Sequence, residues 1–195
     1  MLEKWKSKSI FGKISDIIFI LFIGAMFTST GRMTIGGWVN RLTAQIRNPS
    51  QIEGIALQNS NFNWQLEGIN GQQINLQELK GKVLFINEWA TWCPPCVGEM
   101  PEIQALYHKF KDNPNIQFLM ISNESTAKIK SFIEGKGYTF PVYSARSRAP
   151  QPFQSSSIPT TFLISKSGKI VITETGAMNW GGSKMENIVM GLLKE

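Results

Sequence analysis

Cysteine and histidine are almost missing from this chain, at 2 and 1 among 195 residues. Such scarcity excludes a small fold stapled by several disulfides. It also leaves too few ligands for a structural zinc site, which takes four. Charged residues are only 17% of the chain, against 42% hydrophobic ones, and the net charge is a modest +6. A dominant disordered state is thereby excluded. Mean hydropathy is -0.11, which excludes a polytopic membrane protein. There is no internal repeat and no low-complexity tract. The length suits one domain of ~100–150 residues with an extension.

A pI of about 9.4 raises nucleic-acid binding as a class, so the placement of the charge matters. Residues 1–59 hold seven basic side chains against Glu3, Asp16 and Glu53, which is +4 of the +6. The remaining stretch is nearly balanced, and no nucleic-acid partner is expected. Four lysines in the first 13 residues precede the uncharged run IIFILFIGAMF, Ile17 to Phe27. That order is the pattern of a membrane anchor or an export signal. The run is shorter than the ~17–25 residues of a spanning helix, and reaches that length only by including Asp16 and Thr28 to Thr30. An uncleaved anchor is the preferred reading, and a signal cleaved near Ser29 to Gly31 stays open. No cysteine follows closely, so a lipid-modified terminus is excluded.

The expected organisation is therefore an anchor or signal over residues 1–31 and a juxtamembrane spacer over 32–60. A folded domain over 61–195 follows. Trp38, Val39, Leu42 and Ile46 recur at helical spacing and predict a short amphipathic helix in the spacer. The expected location is the bacterial inner membrane, crossed once, with the domain on the extracytoplasmic side, where thiols can be oxidised. The lipid bilayer is an expected partner.

From Phe62 the pattern becomes that of an α/β domain. FNWQLEG and QQIN flank Asn70-Gly71 and predict a hairpin with a type I′ turn. Leu76 to Leu79 reads as a helical turn. Val83 to Ala90 is a nearly continuous apolar and aromatic run suited to a strand covered on both faces. Helical spacing over 97–110, a strand over 116–122, a helix over 127–136 and an extended 140–143 follow. Strands at 160–165 and 170–175 and a helix at 185–193 complete the order ββ-β-α-β-α-β-β-α. The fold class expected is α/β with a mixed central sheet and flanking helices.

The two cysteines, Cys93 and Cys96, stand where the buried strand meets a helix. With two residues between them, their sulfurs can meet across one helical turn. Cys93 is placed at the helix N-terminus, where unpaired N–H groups and the helix dipole favour a thiolate, the species that attacks disulfides. A purely structural staple is a weak alternative, since so short a loop removes only about 2 kcal/mol of unfolded-state entropy. Pro95 suits a first helical turn, where it forfeits no N–H partner. Redox chemistry is the reading the pair supports.

The segment NEWATWCPPCVGEMP, Asn87 to Pro101, together with the later Ile158-Pro159-Thr160-Thr161, resembles the thioredoxin superfamily. Its nearest likeness is to the TlpA-like, membrane-anchored thiol–disulfide oxidoreductases. The resemblance covers about residues 60–195. It implies a thioredoxin-like three-layer fold behind one N-terminal membrane helix, with the strand–helix segment 116–136 inserted. It implies Cys93 as the exposed nucleophile and Cys96 as the buried resolving thiol. Trp92, Pro94, Pro95, Ile158 and Pro159 would form the substrate-binding surface, with Pro159 cis and Ile158 offering backbone groups to an extended segment. Pro101 would be the proline inside the active-site helix.

Glu99, three residues after Cys96, could relay that thiol's proton. Alternatively it only complements the helix dipole. The resemblance favours the first role. Asn87 occupies the position where thioredoxins commonly carry a buried acid. Glu88 stands where relatives have an aromatic, and alternation points it to the opposite face. His108 reads as a surface residue. No metal and no cofactor beyond the redox-active cysteine pair is expected. The implied activity is reduction of protein disulfides, with cytochrome c maturation as one setting and a membrane electron donor restoring the dithiol. The rival classes are a thiol peroxidase of the same fold and a membrane-tethered, non-catalytic binding module. The first would call for a single cysteine in a Thr-bearing loop, and the second conflicts with the intact motif.

Overall fold

A computed structural model describes residues 9–28, 31, 36, 39 and 46–195. Helix α1, Ile10–Met26, starts on the Ser9 hydroxyl, which accepts from the Gly12 N–H at 3.3 Å. Its end coincides with Thr28, whose hydroxyl donates to the Ala25 carbonyl at 2.8 Å. At ~1.5 Å per residue its 17 residues span about 25 Å, short of the ~30 Å hydrocarbon core of a bilayer. It also carries Lys13 and Asp16. Among the described residues no helix is long and apolar enough to cross a membrane. This overturns four expectations: the N-terminal membrane helix, the single-pass inner-membrane location, the bilayer as partner and the membrane-anchored part of the resemblance. The apolar run does form a helix, but one that starts at Ile10 and so takes in Lys13, Ser15 and Asp16. Most of the expected spacer helix, Trp38 and Leu42 included, lies outside the described residues.

The domain is one eight-stranded mixed sheet. Its strands are β1 (Ile55–Ala56), β2 (Gln65–Gly68), β3 (Gln73–Asn75), β4 (Val83–Glu88), β5 (Ile116–Ile121), β6 (Val142–Ala145), β7 (Thr160–Ile164) and β8 (Lys169–Thr175). They lie in the order β1-β8-β7-β4-β5-β6-β2-β3. β4 is central, parallel to β5 and antiparallel to β7. The β2–β3 hairpin forms as expected, but not with a type I′ turn. Among the described residues only glycines have positive φ, so Asn70 does not, and Gly71 takes φ 86°. Gly68 and Gln72 close a three-residue loop with the glycine at its left-handed position, a hairpin form that needs only one such residue. β1 was not expected, because two exposed residues carry no pattern.

Three further helices are α2 (Pro94–Phe110), α3 (Thr126–Lys136) and α4 (Ser183–Leu193). Alternation along β4 divides the core. Val83 and Phe85 join Ile103 and Leu106 of α2, Ile129 and Ile133 of α3, and Met185 and Val189 of α4. Leu84 and Ile86 face the other way, onto Phe62, Trp64, Leu76, Leu79 and Phe153. The third layer is therefore built from 3₁₀ turns at Asn59–Phe62, Leu76–Leu79 and Gln151–Phe153 rather than from long helices. The segment 116–136 supplies β5 and α3, with β5 inserted between β4 and β6.

Candidate active site

β4 ends at Glu88, and the chain turns through 89–92 into α2, so the site sits at the C-terminal end of the central strand. Cys93 is the residue that caps α2, and Pro94 and Pro95 fill its first two positions. Neither proline has an N–H, so the first free donor of the helix is the Cys96 N–H, which points at Cys93 Sγ at 3.3 Å. The two cysteines form a disulfide, with Cα atoms 5.3 Å apart. Cys93 is 3% exposed and Cys96 1%, whereas neighbouring Trp92 is 59% exposed. The oxidised Cys93 sulfur is thus nearly as covered as its partner, unlike the exposed nucleophile expected. Ile158 contributes to that cover: its carbonyl oxygen lies 3.8 Å from Cys93 Sγ.

Ile158-Pro159 is a cis peptide bond. Its loop is held on both sides. The Pro159 carbonyl accepts from the Gly176 N–H at 2.8 Å, and the Thr160 hydroxyl donates to the Ser157 carbonyl at 2.8 Å. The turn before Cys93 is held as well. Glu124 accepts from the Thr91 N–H at 2.6 Å and its hydroxyl at 2.9 Å, and pairs with Lys128. Burial would raise the Glu124 carboxyl, but the bonds from Lys128 and Thr91 outweigh it and leave it lowered.

Glu99 lies one turn beyond Cys96 on α2 and is fully buried. It accepts from Asn87 Nδ2 at 2.8 Å on Oε1, and from Trp180 Nε1 at 2.8 Å and the Met178 N–H at 3.2 Å on Oε2. Burial pushes its pKa up to about 7, against the pull of the Trp180, Asn87 and Met178 bonds. A carboxyl so poised can hold or release a proton near neutrality. Asn87 and Trp180 are hydrogen-bond partners of Glu99 that the sequence alone did not assign. Alternation sends Asn87 to the α2 side, a signal available in principle. Trp180, 81 residues from Glu99, carries no such signal. Glu88 does face away from α2, as expected, and is half-buried with its pKa pushed up to about 7 by desolvation. His108 is exposed on α2. No group of three or more potential metal ligands occurs among the described residues.

The family model described as Redoxin matches residues 59–189. The chain belongs to the Redoxin family. It is 37% identical over 134 residues to the thiol–disulfide oxidoreductase ResA of Bacillus subtilis (strain 168), covering 68% of this chain and 73% of that one. To ResA of Halalkalibacterium halodurans it is 35% identical over 117 residues, 60% of this chain. That match spans 66% of the relative's own length, just short of two thirds. Among solved structures, a thiol:disulfide interchange protein of the thioredoxin family from Chlorobium tepidum TLS superposes with TM-score 0.56 at 25% identity. The match covers 75% of this chain and 97% of that one. StoA of Bacillus subtilis shares the fold, with TM-score 0.52 at 24% identity over 67% of this chain and 95% of that one. With the Cys93–Cys96 disulfide in place, the Redoxin domain is a thiol–disulfide oxidoreductase.

Proposed function

We propose that this Redoxin domain reduces disulfides in polypeptide substrates, with Cys93 as nucleophile and Cys96 as resolving thiol. The observation that carries this reading is the Cys96 N–H directed at Cys93 Sγ, at 3.3 Å, at the mouth of α2. After reduction that donor and the helix dipole stabilise a Cys93 thiolate. The thiolate attacks one sulfur of the substrate disulfide, that bond breaks, and the other sulfur leaves as a thiolate. Glu99, ionised, takes the Cys96 proton. The Cys96 thiolate then attacks Cys93 Sγ, the second substrate sulfur leaves, and the Cys93–Cys96 disulfide forms. Two electrons pass to the substrate, and an external dithiol returns them. Trp92, Pro94 and Pro95 border the reacting sulfur, while the Ile158 backbone beside Pro159 pairs with the extended substrate.

Insulin reduction with dithiothreitol tests the exchange. Wild type accelerates precipitation, Cys93→Ser abolishes it, and Cys96→Ser accumulates a mixed disulfide. Full activity in Cys93→Ser would sink the assignment. Equilibration with a glutathione buffer tests direction: a potential near ~−120 mV, that of a strong dithiol oxidant, would reverse it.

A further inference from the structure

Glu88 is a charged group at the site that the exchange steps leave unused. Its backbone lies in register with Ile121 of β5 and with Thr160, the residue after Pro159. Its side chain lines a cleft of about 550 Å³ whose walls include Trp92, Ile158, Glu124, Arg148 and Phe153. The cleft therefore takes in Trp92, the residue before Cys93, and Ile158, whose carbonyl oxygen lies 3.8 Å from Cys93 Sγ, and reaches Glu88 on the sheet face opposite Glu99.

The charged groups of the cleft differ in how far their needs are met. Glu124 is held by Thr91 and Lys128. Arg148 is exposed and among the described residues reaches only the neutral Gln154 amide, at 3.4 Å. The Glu88 carboxylate has no hydrogen bond or ion pair to any described side chain. It is half-buried at the edge of the core cluster containing Ile121 and Phe153, so part of its hydration is lost without replacement. An incoming cation would supply that missing partner, in a place where water screens the pair less than on an open surface.

We propose that Glu88 recognises a lysine or arginine side chain on the substrate polypeptide, close in sequence to the cysteine that Cys93 attacks. The inference rests on the exchange reading above, since it takes the cleft to be occupied by the chain joined to Cys93. An extended segment lying along Ile158 sends alternate side chains toward the sheet face that carries Glu88. Selection then depends on the position of the basic residue as well as on its charge. The desolvation that raises the Glu88 pKa is the same feature that makes a paired cation favourable there.

The test uses the full chain, reduced beforehand, with a set of extended peptides in mixed disulfide with a chromophoric thiol. Each carries Lys, Gln or Glu at one of three positions on either side of the cysteine. The readout is the ratio of rate constants between the Lys and Gln versions at each position. Wild type is expected to favour Lys about five- to tenfold at one position at low salt, with the ratio falling as salt rises. Glu88→Gln brings that ratio to within about twofold of unity. Glu88→Lys inverts it toward the Glu peptide. Equal rates for Lys and Gln peptides at every position in wild type would overturn the proposal while leaving exchange intact. So would a Lys preference that survives Glu88→Gln, or a wild-type preference for Glu, which would assign the cleft to Arg148. Failure to react with every peptide would overturn the exchange reading itself, and the proposal with it.

Discussion

The Asn87 amide donates to the Glu99 carboxylate at 2.8 Å and to the Thr161 hydroxyl at 2.8 Å, joining the centre of the sheet to the helix that bears both cysteines. The Asn87 carbonyl oxygen, by contrast, is buried without a donor among the described residues. Turning the amide over would let that oxygen accept from a protonated Glu99 and from Thr161. The site thus has a ready arrangement for either protonation state of the carboxyl, which is the property a proton-handling group needs.

Glu99 makes stability depend on pH. Its folded pKa is about 7 against an ordinary 4.5. Below pH 4.5 both folded and unfolded chains hold the proton. Between 4.5 and about 7 the unfolded chain releases it while the folded one keeps it, so stability falls as pH rises. Above about 7 the loss is complete, on the order of 3 kcal/mol. Glu99→Gln keeps an oxygen for Trp180 and Met178 and offers an N–H to Asn87. Urea unfolding at pH 5 and pH 8 is expected to show a drop in wild type larger by about 2–3 kcal/mol than in Glu99→Gln. Equal drops would show that Glu99 is not the titrating group.

Phe153 joins the cleft to the core. It is fully buried, stacks on Trp64 at 5.5 Å and meets Phe162 edge-on at 5.5 Å. Phe153→Ala is expected to cost about 3–5 kcal/mol in chemical denaturation, and Phe153→Leu clearly less, because it refills most of the void. Equal costs for the two would mean that the ring geometry, not the volume, is what matters there.

Much of the architecture was legible because it follows from local periodicity. The nearly continuous apolar run at 83–90, the helical spacing after Pro95 and Gly137, which ends α3 in the left-handed conformation, each state their element directly, and the cysteine pair states its chemistry through spacing. Relations across the chain were not legible. Nothing near Trp180 signals that its indole reaches Glu99. The Asn87 position looked like a lost acid rather than the partner of another one. Cys93 is covered partly by Ile158, 65 residues away, which no local pattern encodes. The apolar run after the N-terminal lysines has the composition of a membrane segment. It folds into a helix that also takes in Lys13 and Asp16 and ends at Met26, which the composition of the run alone does not weigh.

The hairpin tests how turn chemistry is partitioned. Gly71 has φ 86° and open space where a side chain would go, so Gly71→Ala costs only backbone strain, about 1 kcal/mol. Asn70 keeps an ordinary φ and accepts from the Gln72 N–H at 3.1 Å. Asn70→Ala should then cost about 0.5 kcal/mol in thermal or urea melts. A type I′ turn would place Asn70 at positive φ as well, so Asn70→Ala would then cost about as much as Gly71→Ala, and comparable costs would disprove the loop described.

Trp180 supports the charged form of Glu99 through its indole N–H, which makes it a positioning residue with a distinctive signature. Its indole N–H is one of three donors to the carboxylate, while its ring packs edge-on against Phe85 at 5.3 Å. Trp180→Phe keeps much of that packing and removes the donor. A hydrogen bond to a charged group contributes about 1.5–3 kcal/mol, so the ionised carboxyl is disfavoured and its pKa climbs further above about 7. If ionised Glu99 must take the Cys96 proton, the limb of the pH profile for resolution of a mixed disulfide moves upward by about one pH unit or more. Single-turnover rates from pH 6 to 9 measure this, and Glu99→Gln should erase the same limb. A residue that merely fills space would lower the melting temperature and leave the limb in place. That outcome would remove Trp180, and the carboxyl it holds, from the proton path.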